Sequence, residues 1–445
     1  MDQTFMKEKK ILPLVLSMSL PMVLSMLVNS LFNIVDSFFV AKVSEDAMTA
    51  LSLVYPVQLV LTAVSVGFGV GVNVLIAYLL GAKEKKRADH AASCGVLLGL
   101  VHGMMIIIVC RIGMKSFLGL FTKNSDVVGL GMKYANIAFL FSAIVTVGIT
   151  YEKIFQAVGR MKETMVSMLV GFISNIILDP LMIFGIGPFP KMGIEGAALA
   201  TGIGQTLTLL SYIIYYFVKP LPVKINIENI CWEGDLVKRM YSVGIPATLN
   251  MALSSVLLAI INAILSVYGD ACVLVFGAYY KLQSFIYLPS GGVIQGIRPI
   301  IGYNHGAGEK KRVRSIFITA LVMTLVIMAV GMLLCLIAPG WLMSLFTSNG
   351  DTIETGITAL RIISLGFVVS AVSVTCSGAL EGLGKGVPSL WISLMRYIIV
   401  IIPMAFILSR AMSSQIGVWI AFPVTEFIAA VVSAVIYRRQ VKNFS

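Results

Sequence analysis

Charged side chains are scarce in this sequence. Of its 445 residues only 12% are Asp, Glu, Lys or Arg, half of the roughly 25% typical of a soluble domain. Histidine is rarer still: His90, His102 and His305 are the only three, and they lack metal-ligand spacing. The six cysteines, Cys94, Cys110, Cys231, Cys272, Cys335 and Cys376, are scattered and form no Cys-x-x-Cys pair. They read as small apolar core residues in a reducing compartment. No Walker A loop is present, because Gly382-Leu383-Gly384-Lys385 is followed by Gly386 rather than Ser or Thr. Gly67, Gly69 and Gly71 lie in an apolar run and not after a strand, so they suit close helix packing better than phosphate binding. These absences exclude a soluble enzyme, a disulfide-stapled secreted domain and a built-in ATPase. No metal centre or cofactor is expected.

Apolar residues fill the space. They make up 58% of the chain, and mean hydropathy is +0.94. A bilayer-spanning helix takes about 20 such residues. Twelve runs of that length lie at about 12–40, 50–80, 91–113, 130–157, 164–185, 194–218, 240–267, 272–303, 314–338, 356–380, 388–409 and 416–437. The fold class is therefore an all-α polytopic membrane protein of twelve transmembrane helices. The first run is too long for a cleaved signal peptide and reads as the first span. Pro21, Pro56, Pro246, Pro289, Pro299, Pro403 and Pro423 interrupt runs and predict kinks.

The net charge of +12 comes from short basic clusters between runs, such as Lys83 to Arg87 and Lys310 to Arg314. That placement orients spans in a bilayer and does not suggest nucleic acid. With both termini cytoplasmic, Lys and Arg concentrate on the cytoplasmic side and leave only Lys42, Lys115, Lys123, Lys133, Lys191 and Arg410 outside.

The chain repeats itself at an offset of 225. Gly81-Ala82-Lys83-Glu84-Lys85-Lys86-Arg87 recurs as Gly306-Ala307-Gly308-Glu309-Lys310-Lys311-Arg312. Leu120-Phe121-Thr122 recurs as Leu345-Phe346-Thr347, and Pro21 as Pro246. Later the offset slips, with Pro180 pairing with Pro403 and Gly196 with Gly417. Two six-helix lobes follow, 1–218 and 240–445, joined by a cytoplasmic linker, 219–239. Each lobe has an even number of spans, so both insert the same way up and a pseudo-two-fold along the membrane normal should relate them. Transporters built this way bind substrate between the halves and alternate access by rocking them. The loops around Lys85 and Lys310 should both be cytoplasmic. Single cysteines placed there on a cysteine-free background should resist labelling from outside, and labelling of one but not the other would break the parallel repeat.

An Asp at mid-membrane costs about 2.5–3.5 kcal/mol on insertion scales and is a functional candidate by default. Asp36 shares one face of the first span with Asn29 and Asn33, at i, i+4 and i+7. Asp179 follows Asn175 by one turn and precedes Pro180. Thr201 and Gln205 show the same i, i+4 spacing in the sixth span, and Tyr134 opens the fourth. At the repeat offsets Asp36 falls on Ile261 and Asp179 on Ile402. The acids thus belong to the first half alone, which points to a coupling-cation site there. Asp36 also reads as a helix-end carboxylate, and Asp179 as a hydrogen-bonded turn at the Pro180 kink. Glu381 closes a stripe of Ser370, Ser373 and Ser377, either as a cavity residue or as a helix-end charge. Glu152 beside Lys153 reads as structural, while Glu426 and Lys281 lie deeper in their runs. Tyr280, Gln283 and Tyr287, with Glu381, Asn29, Asn33 and Gln205, are the candidate substrate-cavity residues; aromatic faces suit organic cations.

Asn33-Ile34-Val35-Asp36-Ser37-Phe38-Phe39-Val40 and Asn175-Ile176-Ile177-Leu178-Asp179-Pro180 resemble the first- and fifth-helix motifs of the multidrug and toxic compound extrusion (MATE) family. Gly302-Tyr303-Asn304-His305-Gly306-Ala307-Gly308 and Gly378-Ala379-Leu380-Glu381-Gly382-Leu383-Gly384 resemble its segments after helix eight and at the end of helix ten. Acids on helices one and five, with none on helix seven, are similar to the DinF/MepA-like branch. The resemblance implies a secondary active efflux transporter of the bacterial inner membrane, exporting cationic amphipathic drugs by H⁺- or Na⁺-coupled antiport and acting as a monomer. It implies a cation site of Asp36, Asp179, Asn175, Tyr134 and Thr201, with Na⁺, where used, at Asp36, Asn175 and Asp179. Its partners would be small cationic substrates and the lipid bilayer. The rivals are a lipid-linked sugar flippase of the same superfamily, which needs a strongly basic cavity with only Lys281, Arg298 and Arg396 to supply it, and a membrane-embedded enzyme or channel.

Overall fold

The structure is a computed structural model describing residues 4–230 and 233–442; Cys231 lies outside them. Among the described residues, twelve helices are long and apolar enough to cross a bilayer. They are α1 (Ile11–Ala41), α2 (Glu45–Gly81), α3 (Lys85–Phe121), α4 (Ser125–Ala157), α5 (Met161–Phe184), α6 (Ile194–Val218), α7 (Gly234–Tyr268), α8 (Asp270–Gly306), α9 (Lys310–Ile337), α10 (Gly350–Gly382), α11 (Gly386–Ala411) and α12 (Ile416–Lys442).

The count matches the twelve apolar runs, but several helices outrun them. Helices α2, α3 and α8 each have 37 residues, about 55 Å at 1.5 Å per residue, well beyond a hydrocarbon core of roughly 30 Å. The extra turns are polar: α2 opens on Glu45 and Asp46 with Ser44 capping the Ala47 N–H, and α3 opens on Lys85, Lys86 and Arg87. Hydropathy sees only the apolar middle of such a helix. Helix α7 likewise begins at Gly234, inside the segment read as linker. There Glu233 meets His90 Nδ1 at 2.8 Å and Arg87 Nε at 3.3 Å. His90 first, then Arg87, hold the Glu233 carboxyl below the usual glutamate range. A lowered carboxyl contributes its stability above its ordinary pKa and loses it only as pH falls through the lowered value.

Among the described residues, two helices are interrupted along their length. A 3₁₀ turn, Phe139–Phe141, interrupts α4. A π-helical turn, Met395–Ile399, interrupts α11 just ahead of Pro403; such turns concentrate at functional sites.

The chain gathers into two compact units, one of residues 24–244 and one of 6–23 with 245 onward. Each has its own buried core. In the first, Val40, Leu51, Tyr134, Phe139 and Ile183 pack together. In the second, Phe276, Tyr279, Phe367, Trp419 and Phe422 do. Outward faces are apolar as well. Leu12, Leu16, Leu20, Leu24, Leu27 and Leu31 run down one side of α1, all exposed, a stripe whose stable surroundings are hydrocarbon.

The 225-residue repeat reappears as packing. In the first unit a Cβ on Gly71 of α2 would strike the Met240 carbonyl of α7. In the second unit a Cβ on Gly296 of α8, 225 positions on from Gly71, would sit 2.8 Å from the Ser19 Cα of α1. Only glycine permits either crossing. Gly71→Leu and Gly296→Leu should each destabilise the purified protein by about 1–3 kcal/mol or more through overpacking. Gly113→Leu, where nothing lies within 4 Å, should leave the unfolding temperature unchanged.

Candidate functional site

The first unit brings both of its membrane-embedded aspartates to one place. Helices α1 and α5 lie side by side. Phe32 stacks on Phe172 with ring centroids 5.5 Å apart and planes 8° from parallel, and Phe39 meets Phe184 edge-on at 6.2 Å. Asp36 and Asp179 fall between these two aromatic contacts, one helical turn or more past the first. Their carboxyl groups are within hydrogen-bonding reach of each other. Asp179 is fully buried and Asn175 nearly so. Asp36 is half-buried, but its Oδ1 is shielded and has no hydrogen-bond partner.

Asn175 connects Asp179 to α6. Its amide has one orientation that satisfies both ends: Nδ2 then donates to Asp179 Oδ2 at 3.0 Å, and Oδ1 accepts from the Thr201 hydroxyl at 3.1 Å and the Thr201 N–H at 3.0 Å. Pro180, inside α5, has no N–H and so frees one carbonyl of the preceding turn. Tyr134 of α4 is buried beside the pair, and its hydroxyl accepts from Gln58 Nε2 of α2 at 3.0 Å. Asp36, Asp179, Asn175, Thr201 and Tyr134 therefore converge from four helices.

Gln58 was missed. Its signal was the repeat itself, since Gln283, chosen for the second half, lies 225 residues beyond Gln58. Other candidates stay apart from this network. Asn33 is exposed and donates back to the Asn29 carbonyl at 2.7 Å and to Asn29 Oδ1 at 3.3 Å. Gln205 is half-buried one turn from Thr201, and among the described residues it is not hydrogen-bonded to Asn175 or Asp179.

The second unit answers differently. Tyr280, Gln283 and Tyr287 line one cavity of about 220 Å³, together with Arg396, Tyr397 and Glu426. Glu381 is not among its lining residues. It is buried and paired with Arg298 at 2.6 Å, and it accepts from Ser389 at 3.1 Å and Asn250 Nδ2 at 3.2 Å. Lys281 is exposed. Glu152 and the buried Lys153 form an ion pair at 2.7 Å, to which Gln156 adds a bond at 2.8 Å.

The profile of the MatE family matches residues 21–181 and again 246–407, starting 225 residues apart and covering most of the chain. The chain belongs to the MatE family. Multidrug export protein MepA of Staphylococcus haemolyticus (strain JCSC1435) is 27% identical over 429 residues, covering 96% of this chain and 94% of that protein. MepA of Staphylococcus aureus (strain MSSA476) is 27% identical over 403 residues, covering 90% and 88%. Among solved structures, a MATE protein in complex with MaL6 superposes with a TM-score of 0.93 at 23% identity, over 100% of this chain and 99% of the other. A MOP superfamily transporter from Pyrococcus furiosus, described as having a binding pocket of reverse polarity, superposes equally well at 23% identity and the same coverage. The MatE fold is thus a twelve-helix membrane transporter fold, and the two profile matches coincide with the repeat read from the sequence.

Proposed function

We propose that this MatE protein is a secondary active exporter of cationic, amphipathic aromatic compounds, driven by antiport of H⁺ or Na⁺ bound at Asp36 and Asp179. The observation that carries the proposal is the carboxyl-to-carboxyl approach of these two residues, one half-buried and one fully buried. Two carboxyl groups in hydrogen-bonding contact need one cation between them: a shared proton or a Na⁺. Asn175, with Thr201 behind it, holds one carboxylate in place, and the unpartnered Asp36 Oδ1 offers a further ligand oxygen. The relatives named as multidrug export proteins agree with this reading. Ion release on the far side of the membrane would couple each cycle to the gradient, with the protein acting as a monomer in the bacterial inner membrane and both termini cytoplasmic.

The flippase reading requires strong positive charge in a cavity. Arg298 and Arg396 each face a glutamate, at 2.6 Å and 2.7 Å, so neither contributes net charge, and Lys281 is exposed. The test is efflux of an ethidium-type dye from vesicles containing the purified protein. An imposed pH or Na⁺ gradient should accelerate dye movement, and the gradient that does so names the ion. Equal movement of an anionic dye with none of the cation would overturn the proposal.

A further inference from the structure

The cavity of the second unit has a chemistry of its own. Arg396 sits in the π-helical turn of α11 and is almost wholly buried. It donates through Nε to Glu426 Oε1 at 2.7 Å, and its Nη2 approaches the same oxygen at 2.7 Å. Both strong contacts fall on one oxygen. Glu426 Oε2 is buried and has no hydrogen-bond partner, in a residue that is nine-tenths buried (9% exposed) and lines the cavity.

The arginine is held rigidly. Its Nη2 donates to the Tyr287 hydroxyl at 3.3 Å and Nη1 to the Tyr397 hydroxyl at 3.4 Å. Its guanidinium lies 5.7 Å and 5.2 Å from the centres of those two rings. Tyr287 is fixed in turn by Ser370 at 2.6 Å. Since the Ser370 hydroxyl donates to the Phe367 carbonyl, Tyr287 is the donor to Ser370. The guanidinium thus cannot swing to a new partner without breaking several bonds, whereas Glu426 Oε2 lacks a hydrogen-bond partner.

The repeat counterparts are Ile173 for Arg396 and Gln205 for Glu426, so the first half carries neither charge. The Arg396–Glu426 pair is neutral overall, unlike the two aspartates of the first unit. A cation therefore gains little there from long-range attraction, while a neutral donor can complete a charge-assisted hydrogen bond. Phe276 and Phe422 supply aromatic walls. A volume of about 220 Å³ is below the roughly 300–1,000 Å³ of drug-sized pockets and suits one or two fused rings.

We propose that this cavity is a recognition subsite for an uncharged aromatic group bearing an N–H or O–H donor, received by Glu426 Oε2. The subsite deepens the export reading, on which its place in transport rests, but its binding chemistry is testable alone. The probes are indole, a two-ring neutral N–H donor, and 1-methylindole, which has the same shape without the donor. Binding is titrated on the purified full-length protein in nanodiscs. Indole should bind saturably and 1-methylindole about tenfold more weakly or worse, since a hydrogen bond to a charged group is worth roughly that factor or more. Glu426→Gln, which removes the anionic acceptor, should weaken indole about tenfold. Ser254→Trp, at a half-exposed lining position on α7 that is not part of the ion pair, should block both probes and guards against a folding defect in the first variant. Equal affinity for the two probes, no saturable indole binding, or unaltered binding by the Ser254→Trp protein would overturn the subsite. Dye efflux measured on the same wild-type preparation reports separately on the export reading: loss of efflux with indole binding intact counts against export alone.

Discussion

Replacing Asp179 by Asn should abolish gradient-driven dye efflux, to the background of empty vesicles, while the protein still inserts and folds. The substitution keeps the side chain's size and leaves Asn175 and Thr201 in place. It removes a group that is fully buried and whose charge is costly at that depth, so thermal stability should hold or rise. What disappears is the carboxyl that shares a cation with Asp36. Asp36→Asn should have the same effect for the same reason. Asn175→Ala should be milder, about tenfold, because it deletes one hydrogen bond to a charged acceptor and not the acceptor itself. Dye binding in the absence of a gradient should survive all three, since coupling and substrate recognition are separate steps. If both aspartate variants pump like wild type, the coupling acid lies elsewhere and Glu381 is the next to examine. Rates are measured in vesicles matched for protein content, with the imposed gradient as the only variable.

The parts of this arrangement visible in the sequence share a physical cause: a polar side chain in an apolar run is costly and therefore conspicuous. Asp36, Asp179 and Asn175 stood out in this way, and helical spacing put each acid on the same face as an amide. That α1 and α5 run side by side, clasped by Phe32 on Phe172, is a matter of tertiary packing that no local pattern records. Gln58 escaped notice because one amide beside Pro56 looks like an ordinary kink; only its repeat relation to Gln283 distinguishes it. The pairing of Arg396 with Glu426 was illegible for a different reason. Thirty residues separate them, and it is the π-helical turn and the return of α12 against α11 that bring them together. Glu381 was read with its serine stripe, yet its decisive partner, Arg298, comes from α8. Hydropathy located twelve spans but not the polar extensions of α2, α3 and α8, since charged end turns carry no apolar signal.

Removing Arg298 should be among the most destabilising single changes in the second unit. Glu381 is buried, and Arg298 Nη2 pairs with it at 2.6 Å. Asn250 and Ser389 donate to its other oxygen, and Ser389 is itself linked to Ser377 at 2.6 Å. Arg298→Met leaves this cluster with an uncompensated buried carboxylate, a situation that costs about 3–5 kcal/mol. The double variant Arg298→Met/Glu381→Gln removes both charges but keeps an acceptor for Asn250 and Ser389, so it should recover most of the loss. Thermal unfolding of the purified proteins in detergent measures both. The comparison separates two roles for Glu381. If the pair is structural, the double variant is stable and exports dye at a substantial fraction of the wild-type rate. If Glu381 also takes part in ion coupling, the double variant is equally stable yet fails to respond to the gradient, because the pair's stability has been restored without its titratable group.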